Sequence, residues 1–255
     1  MAIIFISLSA FFASAITLFS GFGLGTILMP VIAIFLPLQI AIAVTAIVHL
    51  LNNLFKLLLL YKNIDYKILI SFGIPAFIFS VLGAYFLDLI TSQNIIFEYN
   101  FLGKTLKTSL FNLVVGVSLI IFASAEIFPF LNKINKIPNP IGGALSGFFG
   151  GFSGHQGAFR SAFLIKANLT KEGFVATNSA IASLVDIARI IVYGLTFNLA
   201  LIEKELNLII IATFSGFLGV FLATKILKKI TIKYIQILVA LMLYILAILL
   251  IFGVL

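Results

Sequence analysis

Apolar residues do not alternate with polar ones along this chain. They run together for about 20 positions at a time and stop at short stretches of lysine, asparagine, proline or glycine. A membrane-spanning helix needs about 20 apolar residues, and the runs 38–61, 67–88, 108–131, 173–195, 206–226 and 232–254 meet that length. Turn and charge signals fill the connections: Asn63-Ile64-Asp65, 92–107, 132–140, 196–205 and Lys228-Lys229.

Two stretches depart from this pattern. Residues 1–36 form one uncharged run, too long for a single span, with Ser20-Gly21-Phe22-Gly23-Leu24-Gly25 in its middle and Pro30 following. Residues 139–166 share the character: Gly142-Gly143, Gly147, then Gly150-Gly151-Phe152-Ser153-Gly154-His155-Gln156-Gly157. Glycine clusters permit backbone that a regular helix forbids. Such backbone survives at membrane depth only where protein or a water-filled cavity receives it. Each stretch is therefore either a broken full span or a re-entrant hairpin.

Lysine placement separates the two. With full spans, eight lysines fall on one side of the membrane and six on the other. With hairpins, Lys56, Lys62, Lys67, Lys133, Lys136, Lys166, Lys171, Lys225, Lys228, Lys229 and Lys233 share one side against Lys104, Lys107 and Lys204. Eleven against three obeys the positive-inside rule. The expectation is two hairpins, with both termini extracytoplasmic. Met1–Ser20 has no basic residue and reads as a retained membrane segment rather than a signal peptide.

The pattern also repeats. Gly25 and Gly157 lie 132 apart, and Thr45, His49, Asn53 and Lys56 lie 133 before Asn178, Ala182, Asp186 and Arg189. Both sets are spaced to share one helical face. We expect a single membrane domain, 1–255, with a first repeat over 1–131 and a second over 138–255. Three crossings per half make the repeats inverted, a recurring plan of secondary transporters. The expected fold is an all-α polytopic membrane protein, each half holding one Gly-rich broken or re-entrant segment and three transmembrane helices.

Composition supports the membrane setting. Hydrophobic residues make up 62% of the chain and charged ones 9%, where a soluble domain carries about a quarter charged. The net charge of +8 comes from basic residues scattered at segment ends, not from a nucleic-acid-binding stripe. Cysteine is absent, so there is neither a disulfide framework nor a thiolate site. No metal triad, P-loop, nucleophile elbow or cofactor fingerprint is present. The chain reads as a non-enzyme without cofactor, and as no ATP-driven pump on its own.

Ionisable residues inside apolar segments cost roughly 2.5–3.5 kcal/mol each on insertion scales and so need a partner or a purpose. Arg160 lies in the second Gly-rich segment. Its planar fork suits the oxygens of a sulfonate, sulfite or carboxylate, though it could equally cap broken-helix carbonyls. His155 and Gln156 interrupt the same cluster and either line a cavity or pack a hinge. His49, Asn52 and Asn53, with Thr45 a turn before, can bind an oxyanion or glue helices together. Lys56 lies near a helix end and reads as a snorkelling residue. Asp186 and Arg189, beside Asn178, Ser179 and Ser183, either pair with each other or divide into a coupling carboxylate and an anion ligand. His49 shares that coupling candidacy for a proton. Gly23, Gly25, Gly154 and Gly157 could present backbone N–H groups to an anion, or simply allow close packing.

The Gly-rich segment, the proline just after it and the following Ala43-Val44-Thr45 helix, echoed by Ala176-Thr177, resemble the sulfite exporter TauE/SafE family over the whole chain. The pattern departs from the family's glycine clusters at Leu24 and at His155-Gln156, and Ala162 replaces the second proline. The resemblance implies an integral protein of a bacterial-type inner membrane that moves small sulfur oxyanions or organosulfonates such as sulfite, thiosulfate or a sulfoacetate-like anion. Its expected partners are that anion, the bilayer and a coupling proton or sodium ion; self-association as a homo-oligomer stays open. A passive anion channel, a carboxylate transporter, an intramembrane enzyme using His49, His155 and Asp186, and a structural subunit are the other readings.

Overall fold

The computed structural model describes residues 1–20, 24–91, 95–101, 103–127, 137–197, 199–226 and 232–254. Gly21, Gly23, Lys133, Lys136, Lys228, Lys229 and the end of the expected span 108–131 lie outside them.

The first half begins with helices α1 (Ala2–Ser20) and α2 (Leu24–Ala33), then α3 (Leu38–Leu60). Next come a short α4 (Tyr66–Ile68), a π-helical turn over Leu69–Gly73 and α5 (Ile74–Thr91). Strands β1 (Ile95–Phe101) and β2 (Lys104–Ser109) lead into α6 (Leu110–Ile127). The second half runs through α7 (Asn139–Ser153), α8 (Gly157–Leu164), α9 (Lys171–Thr196), a short α10 (Leu199–Glu203), α11 (Leu206–Ile226) and α12 (Ile232–Ile251). Among the described residues, Leu38–Asn63, Tyr66–Thr91, Lys171–Thr196 and Leu206–Lys225 are long and apolar enough to cross a membrane. With large hydrophobic side chains such as Leu58, Leu82, Leu195 and Phe214 exposed along them, the chain is an all-α polytopic membrane protein.

Local signals place the boundaries. Asp65 caps α4, its Oδ1 accepting from Ile68 N at 2.9 Å. Thr170 caps α9, its Oγ1 accepting from Gly173 N at 3.0 Å, with Glu172 in the positive first turn. Pro30 sits inside the short α2, which is otherwise buried along most of its length.

Each Gly-rich stretch folds back on itself. At the first, the Phe5 and Phe35 rings stack at 6.4 Å, so the chain after α2 returns to the start of α1. At the second, Gly142 near the start of α7 abuts the ring of Phe163 near the end of α8. A continuous path would hold those positions about 30 Å apart. Ser146 Oγ also donates to Gln156 O at 3.1 Å, lying beside the returning strand of chain.

The packing is reciprocal. Helix α1 lies on α11 and α7 on α5; α3 crosses α9; α6 lies along α12; α5 also touches α9 as α11 touches α3. One end of the bundle holds both chain ends: Leu250 borders a cavity with residues 33–38. The β1–β2 hairpin caps the same end, Tyr99 Oη donating to Phe252 O at 2.8 Å and Thr108 Oγ1 to Ile251 O at 2.9 Å. The sequence pattern leaves 92–107 as a plain connection. The structure instead pairs Ile95–Phe101 with Lys104–Ser109, because β-branched and aromatic residues flank a turn whose Gly103 takes φ +76°. At the opposite end Asp65 N donates to Thr177 Oγ1 at 2.9 Å and Asn139 Nδ2 to Ser71 Oγ at 3.2 Å.

Candidate functional site

The two hairpin tips meet at the crossing of α3 and α9. A side chain at Gly25, in the first turn of α2, would touch Gly154 O and Thr45 Cγ2 at 3.6 Å and His49 Cδ2 at 3.8 Å. Gly154 ends α7 in the left-handed region with φ +82°, where glycine alone is unstrained. Its bare Cα lets Arg189 approach; a Cβ there would stand 2.7 Å from Nη1.

Asp186 is the hub. Its Oδ2 accepts from His49 Nδ1 at 2.6 Å. Its Oδ1 accepts from Arg189 Nε at 3.0 Å and Nη2 at 2.7 Å. Gln156 Nε2 reaches the same oxygen at 3.5 Å. Gln156 Oε1 in turn accepts from Arg160 Nη1, and Asn178 Oδ1 accepts from Arg160 Nε, both at 2.6 Å. A continuous polar chain therefore runs from α9 through α8 and the α7–α8 tip back to α9, and across to α3. His49, Asp186, Gln156, Arg160 and Arg189 are each 3% exposed or less. Such a network specifies one arrangement because every lost partner leaves a buried group unpaired.

The remaining expected site residues divide. Asn53 Nδ2 donates to His49 O at 2.9 Å and lies against the imidazole, which it steadies. Gly157 begins α8, directly beneath Gln156. Asn52 faces away, toward α1 and α11: its Nδ2 donates to Ser14 Oγ at 3.1 Å and it packs on Gly216. His155 also faces away. Its ring stacks on Phe122 of α6 at 5.5 Å, Nδ1 donating to Ser153 O at 2.9 Å, while buried Nε2 has no partner among the described residues. Gly23 lies outside the described residues.

Residues 6–250 match the family model described as Sulfite exporter TauE/SafE. The chain belongs to the TauE/SafE family. Comparison with curated proteins and with solved structures returned no match. Membership makes this a membrane-transport protein by kind.

Two residues of this family member carry more than sequence reasoning gave them. Lys56 is 6% exposed and is buried in the bundle rather than snorkelling. The signal was present, since it continues the Thr45–His49–Asn53 face. Tyr193, a turn beyond Arg189, donates its hydroxyl to Gly151 O and stacks on Phe197 at 4.6 Å. It ties the last turn of α7 to α9, so the hairpin tip and Arg189 keep their register.

Proposed function

We propose that the chain is a secondary transporter of small sulfur oxyanions or organosulfonates, built as two inverted repeats with the anion held between their hairpin tips. The observation that carries this reading is the charge of the cluster. Arg160, Arg189 and Lys56 are buried, and Asp186 is the one buried carboxylate among the described residues. Arg189 Nη1 has no partner among the described residues. An anion there gains a guanidinium fork in a site of low dielectric. The Asp186–His49 hydrogen bond is the element through which a proton or sodium ion would couple to it.

The reciprocal packing of α1 on α11 and α7 on α5 supports the inverted repeats. His49, Gln156, Arg160, Asp186 and Arg189 are each 3% exposed or less, so passage requires the hairpins to move, which favours alternating access over an open channel. The bundle end bearing Lys62, Lys67, Lys166 and Lys171 faces the cytoplasm of a bacterial-type inner membrane. Both termini are then extracytoplasmic. Single cysteines introduced into this cysteine-free chain at 62 and 204 should label from opposite sides; labelling from one side overturns the topology.

Purified protein in liposomes should take up sulfite, thiosulfate or sulfoacetate with saturation and counterflow. Arg160→Ala should abolish uptake while leaving expression intact. Unsaturable current would make it a channel, uptake of acetate-like anions alone would make it a carboxylate transporter, and no anion flux would remove the reading.

A further inference from the structure

The repeat relates the two hairpin tips, but a place that is filled at one is open at the other. At the second tip, Arg160 of α8 donates to Asn178 Oδ1 of α9 and to Gln156 Oε1, both at 2.6 Å. The residue 132 positions before Arg160 is Leu28 on α2, and the residue 133 before Asn178 is Thr45 on α3. Leu28 is buried and offers no polar group. Thr45 is 1% exposed, and its Oγ1 has no partner among the described residues. Buried hydroxyls elsewhere in the chain, on Thr17 and Ser183, bond the carbonyl four residues back. That of Thr45 does not.

The surroundings of Thr45 leave room. At Gly143, Gly147 and Gly151 an added Cβ would overlap a neighbouring backbone. At Gly25, which is also buried, it would meet Gly154 O and Thr45 Cγ2 at 3.6 Å and His49 Cδ2 at 3.8 Å, all ordinary contacts. The gap therefore admits one methyl group or one oxygen atom. It lies in the first turn of α2, a helix of 10 residues whose leading N–H groups have no acceptor within the helix. Gly154, on its far side from Gly25, meets Arg189, whose Nη1 is likewise buried without a partner among the described residues. Buried donors are nearly always paired. Here two unpaired ones border a single contact between the tips.

We infer that Thr45 is a ligand of the transported anion, one of whose oxygens enters the gap beside Gly25. The Thr45 hydroxyl, Arg189 Nη1 and the first turn of α2 donate to it. This rests on the anion-transport reading and adds a residue to it. Asn178 in the second half receives the protein's own guanidinium; Thr45, its counterpart, receives the substrate. The carbonyl of Gly154 borders the same gap and repels an anionic oxygen, which settles toward Arg189 and α2.

The test uses the full chain, in detergent for melting and in liposomes for uptake, with sulfite, thiosulfate and sulfoacetate as probes. Thr45→Val keeps the shape of the side chain and deletes an unpaired hydroxyl, so the anion-free melting midpoint should stay level or rise. The KM of the transported probe should rise about tenfold or more, because a hydrogen bond to a charged group is lost. The rise in midpoint that the anion gives the wild type should shrink in step. Thr45→Ser, which keeps the hydroxyl, should recover most of the affinity. Gly25→Ala should melt like the wild type, since its methyl clashes with nothing, yet lose affinity because that methyl takes the oxygen's place. A hydroxyl with a structural role would instead lower the anion-free midpoint of Thr45→Val. That fall, a failure of Thr45→Val to fold, an unchanged KM in it, or wild-type uptake by Gly25→Ala each overturns the inference while wild-type flux keeps the transport reading. No flux and no melting shift with any probe in the wild type removes both.

Discussion

The two hairpins sit at matching places in the bundle and are built differently. On α7, Gly143, Gly147 and Gly151 recur every four residues and rest on the carbonyls of Phe72, Ala76 and Ser80, which recur at the same interval before and along α5. Backbone meets backbone along this whole seam. On the matching seam, the hairpin helix α1 presents Phe11 and Ser14, and the glycines, Gly216 and Gly219, belong to the span α11. The tip of the α7–α8 hairpin carries Gln156 and Arg160 into the polar chain, and Gly154 lies on Arg189. The hairpin that bears this part of the polar chain is also the one held by a continuous glycine seam.

The sharpest break of that comparison is at the hub. Asp186→Asn leaves Arg189 buried without its counter-charge and weakens the His49 contact. Removing one partner of a buried pair costs about 3–5 kcal/mol, so we expect a large fall in thermal midpoint in detergent and loss of uptake. Asn53→Asp, the reciprocal change on α3, should be far milder in stability, because it adds a carboxylate on the face that bears Lys56. Equal melting losses for the two would mean that the halves carry charge equally.

The seams come next. At Gly147 an added Cβ strikes the Ala76 backbone, which cannot yield without separating α5 from α7. Gly147→Ala should cost up to about 3 kcal/mol as overpacking and lower both stability and uptake. At Gly216 a Cβ meets Asn52 Nδ2 and Ser14 Oγ at 2.9 Å, both ends of side chains that can turn aside. Gly216→Ala should cost less than about 1 kcal/mol. Thermal melting of the two variants side by side checks the difference. Gly154→Ala falls between them, at about 1–2 kcal/mol for a left-handed alanine. It should weaken uptake more than its melting shift suggests, because the new methyl displaces Arg189.

Much of this was legible in the residues. Apolar run length located the four spans that are long and apolar enough among the described residues, and the glycine clusters located both hairpins. The family carried the transport class. The 133-residue offset paired the faces of α3 and α9. What escaped notice was set by neighbours. Helical spacing turns each residue by about 100°, so Asn52 and Asn53 diverge to opposite sides of His49's direction. Sequence alone placed both on the polar face, whereas α1 and α11 claim the first and His49 the second. Lys56 is four residues from the end of α3, close enough to reach water in an isolated helix. The rest of the bundle closes over it instead. The β1–β2 hairpin leaves no such mark, because its strands of seven and six residues are far shorter than a spanning run.

Asn52 supplies the smallest expected effect and a direct comparison of the halves. Its counterpart 133 residues on is Val185, a buried apolar residue in the hydrophobic cluster around Phe72 and Phe163. Among the described residues the Asn52 side chain makes one hydrogen bond, to Ser14, and its Oδ1 is buried without a partner. Asn52→Val gives up a helix–helix hydrogen bond worth about 0.6 kcal/mol inside a membrane. The same change removes an unsatisfied acceptor whose burial is itself unfavourable. The two terms oppose each other, so stability should move by less than about 0.5 kcal/mol in either direction. Because the amide points to α1 and α11 and not to the Asp186 network, uptake should be retained. Melting and uptake measured together separate the roles. A fall in uptake without a fall in melting would bring Asn52 back into contact with the transported anion, in a conformation where α1 has moved away from α3.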